Sequence, residues 1–183
     1  MRCPALYHVL MTITARRYLD NSIGVLTLAA TPQGLAQVTF GEAPAPSTVR
    51  ESSEQHHICE GILDDAAHQF SEYLSGSRTA FSLPLDLSEA TAFQRAVING
   101  LLTIPYAQTI SYRDLATLTG RPQASRAVGN ACATNPLPIV IPCHRILRSD
   151  GKLGGYLGGR TIKRFLLDME IRHGAITSGC RPM

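Results

Sequence analysis

The pair Cys143-His144 contains the residues of this sequence that are best suited to covalent chemistry. A cysteine thiol titrates near pH ~8.5, so it is a good nucleophile at neutral pH only where a base or a positive charge favours the thiolate. His144 supplies an imidazole, and Arg145 follows it. Because neighbouring side chains of an extended chain point opposite ways, His144 must act through a bend or a bridging water. A carboxylate normally orients such an imidazole, and Glu170 and Asp168 are the candidates.

The chain that leads to Cys143 is stiff and apolar. Residues 135–142 read Asn-Pro-Leu-Pro-Ile-Val-Ile-Pro, so three prolines precede the cysteine. Proline fixes one backbone dihedral angle, and the segment is therefore expected to hold Cys143 in one position. The ordinary role of an isolated cysteine is that of a small buried hydrophobe, and this role suits Cys132 better than Cys143.

A glycine-rich loop lies downstream of the cysteine. It reads Gly154-Gly155-Tyr156-Leu157-Gly158-Gly159 and follows a turn predicted over 149–152. Glycine allows a backbone to approach a flat ligand closely, and Tyr156 can stack on that ligand or form the wall of a pocket. The spacing differs from a G-x-G-x-x-G motif after a strand, which argues against a dinucleotide site.

Upstream of the cysteine, the pattern is typical of a helix-turn-helix. Ser111 and Asp114 form a capping-box-like start for a helix over 112–119, and Gly120 follows as a stop. A second helix is predicted over 124–133. Two short helices joined by a tight turn also occur in proteins that bind no DNA, so this outline by itself does not establish DNA binding.

The second of these helices combines small residues with one cation. Its predicted inner side is Ala124, Val128 and Ala131, and its predicted outer side is Arg126, Gly129, Asn130 and Ala133. A glycine inside a helix costs about 1 kcal/mol relative to alanine. A DNA groove would exploit both the close approach of the backbone and the arginine. Tight packing on another helix is the alternative, and it explains the small residues but gives Arg126 no role.

Composition restricts the class of protein. The 183 residues are 44% hydrophobic and 17% charged, which suits one ordinary domain or two small ones and excludes a disordered chain. Residues 1–85 hold five basic and eight acidic side chains. Residues 86–183 hold six acidic and twelve basic side chains, and most of these basic residues are arginines. The planar arginine fork suits phosphate and base-edge contacts. On charge alone, a solvated basic face is the alternative.

The N-terminal half carries both strand and helix signals. Alternating residues predict strands over 5–13 and 23–40. A helix is predicted over 58–74, because four apolar residues recur at intervals of four: Ile62, Ala66, Phe70 and Leu74. Residues 81–87 are predicted to be extended. We therefore expect an α/β supporting domain over 1–84.

The C-terminal half is predicted to be mainly helical. It begins with a helix near 93–102 that Pro105 ends, continues through the helix-turn-helix, and closes with a helix over 161–171. We expect a second domain over 85–171, which contains the helix-turn-helix and the Cys-His pair, and a tail over 172–183.

The cysteines predict neither a disulfide framework nor a metal site. They occur without regular spacing and without a C-x-x-C pair: Cys3, Cys59, Cys132, Cys143 and Cys180. This usage favours a reducing, cytoplasmic compartment. His56, His57 and Cys59 have the types of metal ligands, but no second pair follows at zinc spacing, so we expect them to be surface residues. No apolar run reaches eighteen residues, so no membrane association is expected.

In these motifs the sequence resembles the O6-alkylguanine-DNA alkyltransferases, also called methylated-DNA–protein-cysteine methyltransferases. The resemblance rests on Pro142-Cys143-His144-Arg145 after the Asn-Pro segment, with Ser111-Tyr112, residues 125–129 and the glycine loop matching in order. It is strong over 88–171 and weaker over 18–87. It implies a winged helix-turn-helix and a single-turnover repair reaction. In this reaction an alkyl group passes irreversibly from O6 of a flipped guanine to Cys143. Whether the alkyl group is also taken from O4 of thymine is left open.

Carried over residue by residue, the resemblance implies a role in catalysis for each motif residue. Cys143 is the alkyl acceptor, and His144 withdraws its proton through a water while Glu170 holds the imidazole. Asn135 braces the turn that carries the cysteine. Tyr112 donates a hydrogen bond to the departing guanine.

The resemblance also implies the contacts with DNA and with the alkyl group. Arg126 fills the gap that the extruded nucleotide leaves in the duplex. The helix over 124–133, with its small side chains, lies in the minor groove. The other DNA contacts are Ser125, Ala127, Gly129 and Tyr112. The substrate pocket is lined by Tyr156, Leu157, Val140 and Gly158. The partner is double-stranded DNA containing O6-alkylguanine, and no cofactor is expected. The chain is expected to act as a monomer, with cooperative assembly on DNA left open.

Two positions depart from the family pattern. Ala107 stands where many relatives have glycine, and we expect it to alter only a turn. Leu157 stands where some relatives have a small polar residue, which leaves open the tolerance for alkyl groups larger than methyl.

Two other functions are weighed against this one. A non-enzymatic DNA-binding relative would recognise alkylated guanine and recruit repair partners, but relatives of that kind lack the reactive cysteine. A Cys-His-Glu hydrolase would not need the arginine-bearing helix and would turn over repeatedly.

Overall fold

The N-terminal part is built on a three-stranded antiparallel sheet. The computed structural model describes residues 13–42 and 53–177. Strands β1 (Ala15–Asn21), β2 (Gly24–Thr31) and β3 (Gly34–Phe40) lie in the order β1-β2-β3. The strands predicted over 23–40 are confirmed as β2 and β3.

Strand β1 was not predicted from the sequence. It reads Ala-Arg-Arg-Tyr-Leu-Asp-Asn and lies at the edge of the sheet, where its polar side chains are partly exposed. An edge strand of this kind lacks the apolar alternation that identifies a strand in sequence. The strand predicted over 5–13 lies outside the described residues, apart from Ile13, which is not in a strand.

Helix α1 packs on all three strands and is longer than predicted. It runs over Ser53–Ser75, and Gly76 follows it with a φ of +81°. Its buried face is spaced alternately by four and three residues: Cys59, Leu63, Ala66, Phe70 and Tyr73. The predicted stripe at strict intervals of four drifts off this face, because a helix repeats every 3.6 residues, and Ile62 and Leu74 are only partly buried. Cys59 is therefore a core residue, which corrects its expected surface position, whereas His56 and His57 are exposed.

The helix-turn-helix is confirmed at the expected place. Helix α2 (Ala92–Leu102) precedes it, and a two-residue strand, β4 (Ile110–Ser111), leads into α3 (Tyr112–Leu118). Ser111 and Asp114 form the predicted capping box. Helix α4 (Ser125–Ala133) then buries Val128 and Cys132. Ala124 and Ala131, predicted to face inward, are only half-buried, because Cys132 takes the central inner position.

The remaining chain forms a small wing and a long helix. Strand β5 (Ile146–Leu147) pairs in parallel with β4, and Leu147 bridges back to Leu153 around the predicted turn. Helix α5 (Gly159–Thr177) extends beyond the predicted end at 171. The rest of the predicted tail, with Cys180, lies outside the described residues. Within the described residues, the helices are too short or too polar to cross a membrane.

The two halves share one hydrophobic core, and backbone hydrogen bonds attach β3 both to the segment that connects the halves and to the C-terminal half. The Leu35 amide donates to the Pro84 carbonyl at 2.8 Å, and the Asp86 amide donates to the Leu35 carbonyl at 2.9 Å. The Val38 amide of β3 donates to the Pro136 carbonyl at 2.8 Å. Strand β3 is therefore attached directly to the segment that leads to Cys143.

We expect Gly34→Ala to destabilise the protein by about 2 kcal/mol or more, because a methyl group there would lie 2.5 Å from the Pro84 carbonyl oxygen. Gly61→Ala is the matched control. Gly61 lies within α1 with open space around it, and alanine there should stabilise the protein by about 0.5–1 kcal/mol. The free energy of unfolding, measured by urea denaturation, checks both values, and equal effects would contradict this account of the junction.

Candidate active site

Cys143 begins a 3₁₀ turn, Cys143–Arg145, and is almost completely buried, with 3% of its surface exposed. Asn135 fixes this turn through both ends of its amide. Its Nδ2 donates to the Ile141 carbonyl at 3.0 Å and to Cys143 Sγ at 3.1 Å, and its Oδ1 accepts from the Leu137 amide at 3.0 Å. Asn135 thus holds both the approach to the cysteine and the sulfur itself.

The approach segment carries backbone strain next to the cysteine. Ile139 has a φ of +78°, a region that β-branched residues rarely adopt. The Ile141 amide donates to the Leu137 carbonyl at 2.8 Å, which closes a tight loop around this residue. A residue held in this region costs of order 1–3 kcal/mol and persists only where its surroundings determine it. The segment is therefore rigid, and it directs the turn that begins at Cys143 toward the protein interior.

His144 is buried completely and is oriented by Glu170. Its Nε2 lies 2.8 Å from Glu170 Oε1, whereas its Nδ1 is buried without a hydrogen-bond partner among the described residues. The ionised carboxylate accepts a hydrogen bond from Nε2–H, so Nδ1 carries the free lone pair. Asp168, the other candidate, is exposed. The geometry thus selects Glu170.

The Glu170 carboxylate is surrounded by donors. Arg145 Nε lies 3.0 Å from Oε2, Arg145 Nη2 lies 2.9 Å from Oε1, and the Ala107 amide lies 2.8 Å from Oε2. Burial by itself would raise the pKa of Glu170, but the hydrogen bonds from His144 and Arg145 and the positive charge of Arg145 outweigh it and hold the pKa well below its ordinary value. Glu170 is therefore ionised throughout the physiological range.

Ala107 has a φ of +61°, a conformation that favours glycine. Its amide is one of the Glu170 donors. Alanine in place of the glycine of many relatives therefore does more than alter a turn, because a residue with a strained backbone conformation donates a hydrogen bond to the buried carboxylate.

Cys143 and His144 are both expected to be neutral at rest. Burial raises the pKa of the Cys143 thiol, and the Asn135 hydrogen bond and the positive charge of Lys163 oppose this only in part. Burial lowers the pKa of His144 in spite of Glu170. A neutral thiol beside a neutral imidazole has a proton to transfer and a nitrogen to receive it.

Sequence reasoning missed Lys163. Its side chain is fully buried, and Nζ donates to the Ile146 carbonyl at 2.6 Å and, more weakly, to the Gly155 carbonyl at 3.5 Å. It joins α5 to the end of the Cys143 turn and to the glycine loop. A signal was present, because Lys163 lies on the same helical face as Leu166 and Leu167, where a charge requires a specific partner.

Tyr112, the first residue of α3, lies against the glycine loop and against α4. A Cβ atom placed on Gly154 would lie 2.7 Å from the Tyr112 hydroxyl oxygen, and one placed on Gly129 would lie 3.9 Å from its ring. Burial raises the pKa of Tyr112, and the nearby thiols of Cys132 and Cys143 add to this. The phenol is therefore a hydrogen-bond donor next to Cys143.

The glycine loop is packed against the N-terminal sheet. The Tyr156 ring lies 5.6 Å from the ring of Phe40 and 6.3 Å from that of His144. A Cβ atom placed on Gly158 would lie 2.8 Å from the Phe40 ring. Of the predicted pocket residues, Tyr156 thus lies near His144, Gly158 packs on Phe40, and Val140 is buried. Leu157 is 46% exposed and lines a cavity of about 230 Å³ between the loop and β3.

Most of the predicted outer face of α4 is exposed: Arg126, Asn130 and Ala133 are exposed, whereas Gly129 is half-buried. Of the other predicted DNA contacts, Ala127 is exposed and Ser125 is half-buried. Arg126 is therefore at the surface, whereas Cys143, His144, Glu170 and Asn135 are buried.

A DNA-binding motif beside a buried Cys-His-Glu cluster defines a class of DNA-modifying proteins, and comparison with known proteins gives the family. Residues 92–172 match the model of the 6-O-methylguanine DNA methyltransferase DNA binding domain, and residues 15–87 match that of its ribonuclease-like domain.

Individual relatives of this chain have names that agree with the family models. A methylated-DNA–protein-cysteine methyltransferase of Mycobacterium bovis is 41% identical over 155 residues, which covers 84% of this chain and 90% of the relative. One of Methanosarcina acetivorans is 38% identical over 151 residues, which covers 82% and 94%. The crystal structure of Mycobacterium tuberculosis OGT in complex with DNA has a TM-score of 0.75 and 39% identity, and covers 86% of this chain and 93% of that one.

The chain belongs to the 6-O-methylguanine DNA methyltransferase family. This confirms the family, the fold class and the enzyme class that the sequence predicts.

Gly154→Ala is expected to slow alkyl transfer by about tenfold or more, because the added methyl group would displace the Tyr112 hydroxyl. Gly155→Ala is the matched control, since a Cβ atom at Gly155 meets nothing within 4 Å. The rate of alkyl transfer from methylated duplex DNA checks this expectation. Equal rates for the two variants would mean that the position of Tyr112 does not matter.

Proposed function

We propose that this chain repairs double-stranded DNA by transferring the alkyl group of O6-alkylguanine to Sγ of its own Cys143, once per molecule. The observation that carries this proposal is the cluster in which Asn135 holds the sulfur at 3.1 Å while Glu170 holds His144 at 2.8 Å. The cluster lies beside a helix-turn-helix whose outer face is exposed.

The first step is removal of the thiol proton. Nδ1 of His144 carries the free lone pair, so it accepts the proton of Cys143 through a bridging water. Glu170 then stabilises the imidazolium that forms, since it is ionised and bonded to Nε2. Asn135 and Lys163 stabilise the thiolate, as both favour the charged form of the sulfur.

The second step is displacement at carbon. The thiolate attacks the alkyl carbon, the C–O6 bond breaks, and its electron pair remains on the guanine. Tyr112 donates a hydrogen bond as charge develops on the departing base, which lowers the barrier. The imidazolium returns its proton by way of solvent to the released guanine. The product is a thioether, which this site has no means of cleaving, so each molecule reacts once.

The target carbon is inside the DNA stack, so the guanine has to leave the duplex before it reacts. Flipping a base costs a few kcal/mol of unstacking. Arg126 is exposed on the face of α4 that carries small side chains, and it fills this gap. The small residues beside it allow α4 to enter the minor groove. Because Cys143 is 3% exposed, entry of the base also requires the glycine loop over the site to move outward.

The remaining parts of the proposal concern the whole chain. We assign a supporting domain to residues 1–84 and a reactive domain to residues 85–171, a division supported by the two segments that the family models match. The protein acts as a monomer that needs no cofactor. A reactive thiol requires reducing conditions, which favours the cytoplasm.

Incubation with an O6-methylguanine duplex is expected to add one methyl group to Cys143, measured by mass spectrometry of the intact protein and its peptides. Cys143→Ser should bind the duplex with unchanged affinity and gain no mass. Cys132→Ala is the control and should still be methylated at Cys143, because burial and the nearby Cys143 raise the pKa of Cys132 to about 12, which keeps it an unreactive thiol. Binding without added mass would favour a non-enzymatic DNA-binding protein, and repeated turnover would favour a hydrolase.

Arg126→Ala is expected to slow transfer from duplex DNA by at least about tenfold, because the gap left by the flipped base is no longer filled. Its reaction with free O6-benzylguanine should be nearly unchanged, since that substrate needs no flipping. Single-turnover rates on the two substrates check this, and equal losses on both would remove the flipping role from Arg126.

A further inference from the structure

The N-terminal half contributes a side chain to the Cys143 site that neither the sequence motifs nor the proposed mechanism includes. Tyr73 lies near the end of α1 and is 1% exposed. Its hydroxyl donates to Oε1 of Glu170 and lies 3.3 Å from Nε2 of His144. It therefore contacts both members of the pair that is proposed to receive the thiol proton.

The direction of these hydrogen bonds follows from the chemistry of the groups. Burial and then the negative charge of Glu170 raise the pKa of Tyr73 well above its ordinary value, so the phenol keeps its proton. A phenol has one O–H donor, and here it donates a hydrogen bond to the carboxylate. The phenol oxygen then faces the Nε2–H of His144 as a second, weaker acceptor.

The Tyr73 ring is held in place by other aromatic side chains. Its centroid lies 5.0 Å from that of Phe81 and 6.0 Å from that of Tyr106, the latter in an edge-to-face arrangement. The hydroxyl is therefore fixed in position by packing.

We propose that Tyr73 is a positioning residue for alkyl transfer, one that fixes the Glu170–His144 pair and limits how strongly the carboxylate attracts the imidazole proton. This inference rests on the proposed function, in which His144 receives the proton of Cys143. A carboxylate that shares its charge with a third donor exerts a weaker pull on the imidazole than one bonded to His144 and Arg145 alone.

Several ionisable groups besides Tyr73 face His144 or its carboxylate and remain in place when the phenol is changed. They come from the Cys143 turn, from α5, from the glycine loop and from the segment after α2: Cys143, Arg145, Lys163, Glu170, Tyr156 and Tyr106. Removing only the Tyr73 hydroxyl leaves more negative charge on Glu170, and nearby negative charge favours the imidazolium. The pH at which His144 gains a proton should therefore rise.

The test is the pH dependence of single-turnover methyl transfer in Tyr73→Phe. The acidic limb of the rate profile should move to higher pH by about half a unit or more, so that the variant loses more rate at pH 6 than at pH 8. A ¹⁵N-histidine NMR titration, with His144 assigned through a His144→Asn variant, should show the same shift. Tyr106→Phe is the matched control, because the Tyr106 hydroxyl is buried in the same aromatic cluster without a hydrogen-bond partner among the described residues. Its profile should match that of the wild type.

A second substitution separates an electrostatic effect from a loss of packing. In a Glu170→Gln background the Tyr73→Phe shift should disappear, because the charge on which Tyr73 acts is gone. A Tyr73→Phe profile that is lowered equally at every pH, or one that shifts no more than that of Tyr106→Phe, would overturn the role of Tyr73. Thermal denaturation of each variant shows whether it is folded. Absence of methylation at Cys143 in the wild type would instead contradict the proposed function, so the two failures are distinguishable.

Discussion

One buried carboxylate organises the reactive part of this protein. Glu170 accepts from His144, from Arg145, from the Ala107 amide and from Tyr73, and these donors come from three separate segments of the chain. An ionised carboxylate in a dry interior is tolerated only when such donors surround it. The same set of hydrogen bonds therefore stabilises the charge, orients the imidazole and joins α1 to α5.

Burial keeps the thiol unreactive until a substrate is bound. The environment that raises the pKa of Cys143 and lowers that of His144 favours the neutral pair, and it also strengthens every electrostatic interaction once charge forms. For the proposed function this arrangement is an advantage, because a permanently exposed thiolate would be oxidised or alkylated by other compounds.

The N-terminal half is part of the site as well as a support for it. Strand β3 donates to the Pro136 carbonyl through Val38 and packs the Phe40 ring on the glycine loop. Helix α1 brings Tyr73 to the carboxylate. The surroundings of Cys143 and His144 are thus shaped by contacts from residues that precede Cys143 by about a hundred positions or by seventy.

Local pattern was enough to predict the stiff segment before Cys143, the capping box that starts α3, and the helix with small residues that carries Arg126. Residue types narrowed the partner of His144 to Glu170 or Asp168, and the family resemblance favoured Glu170. The hydrogen bond from His144 to Glu170 is seen only in the folded protein, as are the contacts of Tyr73 and Lys163. These contacts join residues that are far apart along the chain. Tyr73 and His144 are 71 residues apart, and no local periodicity encodes which buried polar groups will meet when the two halves pack together.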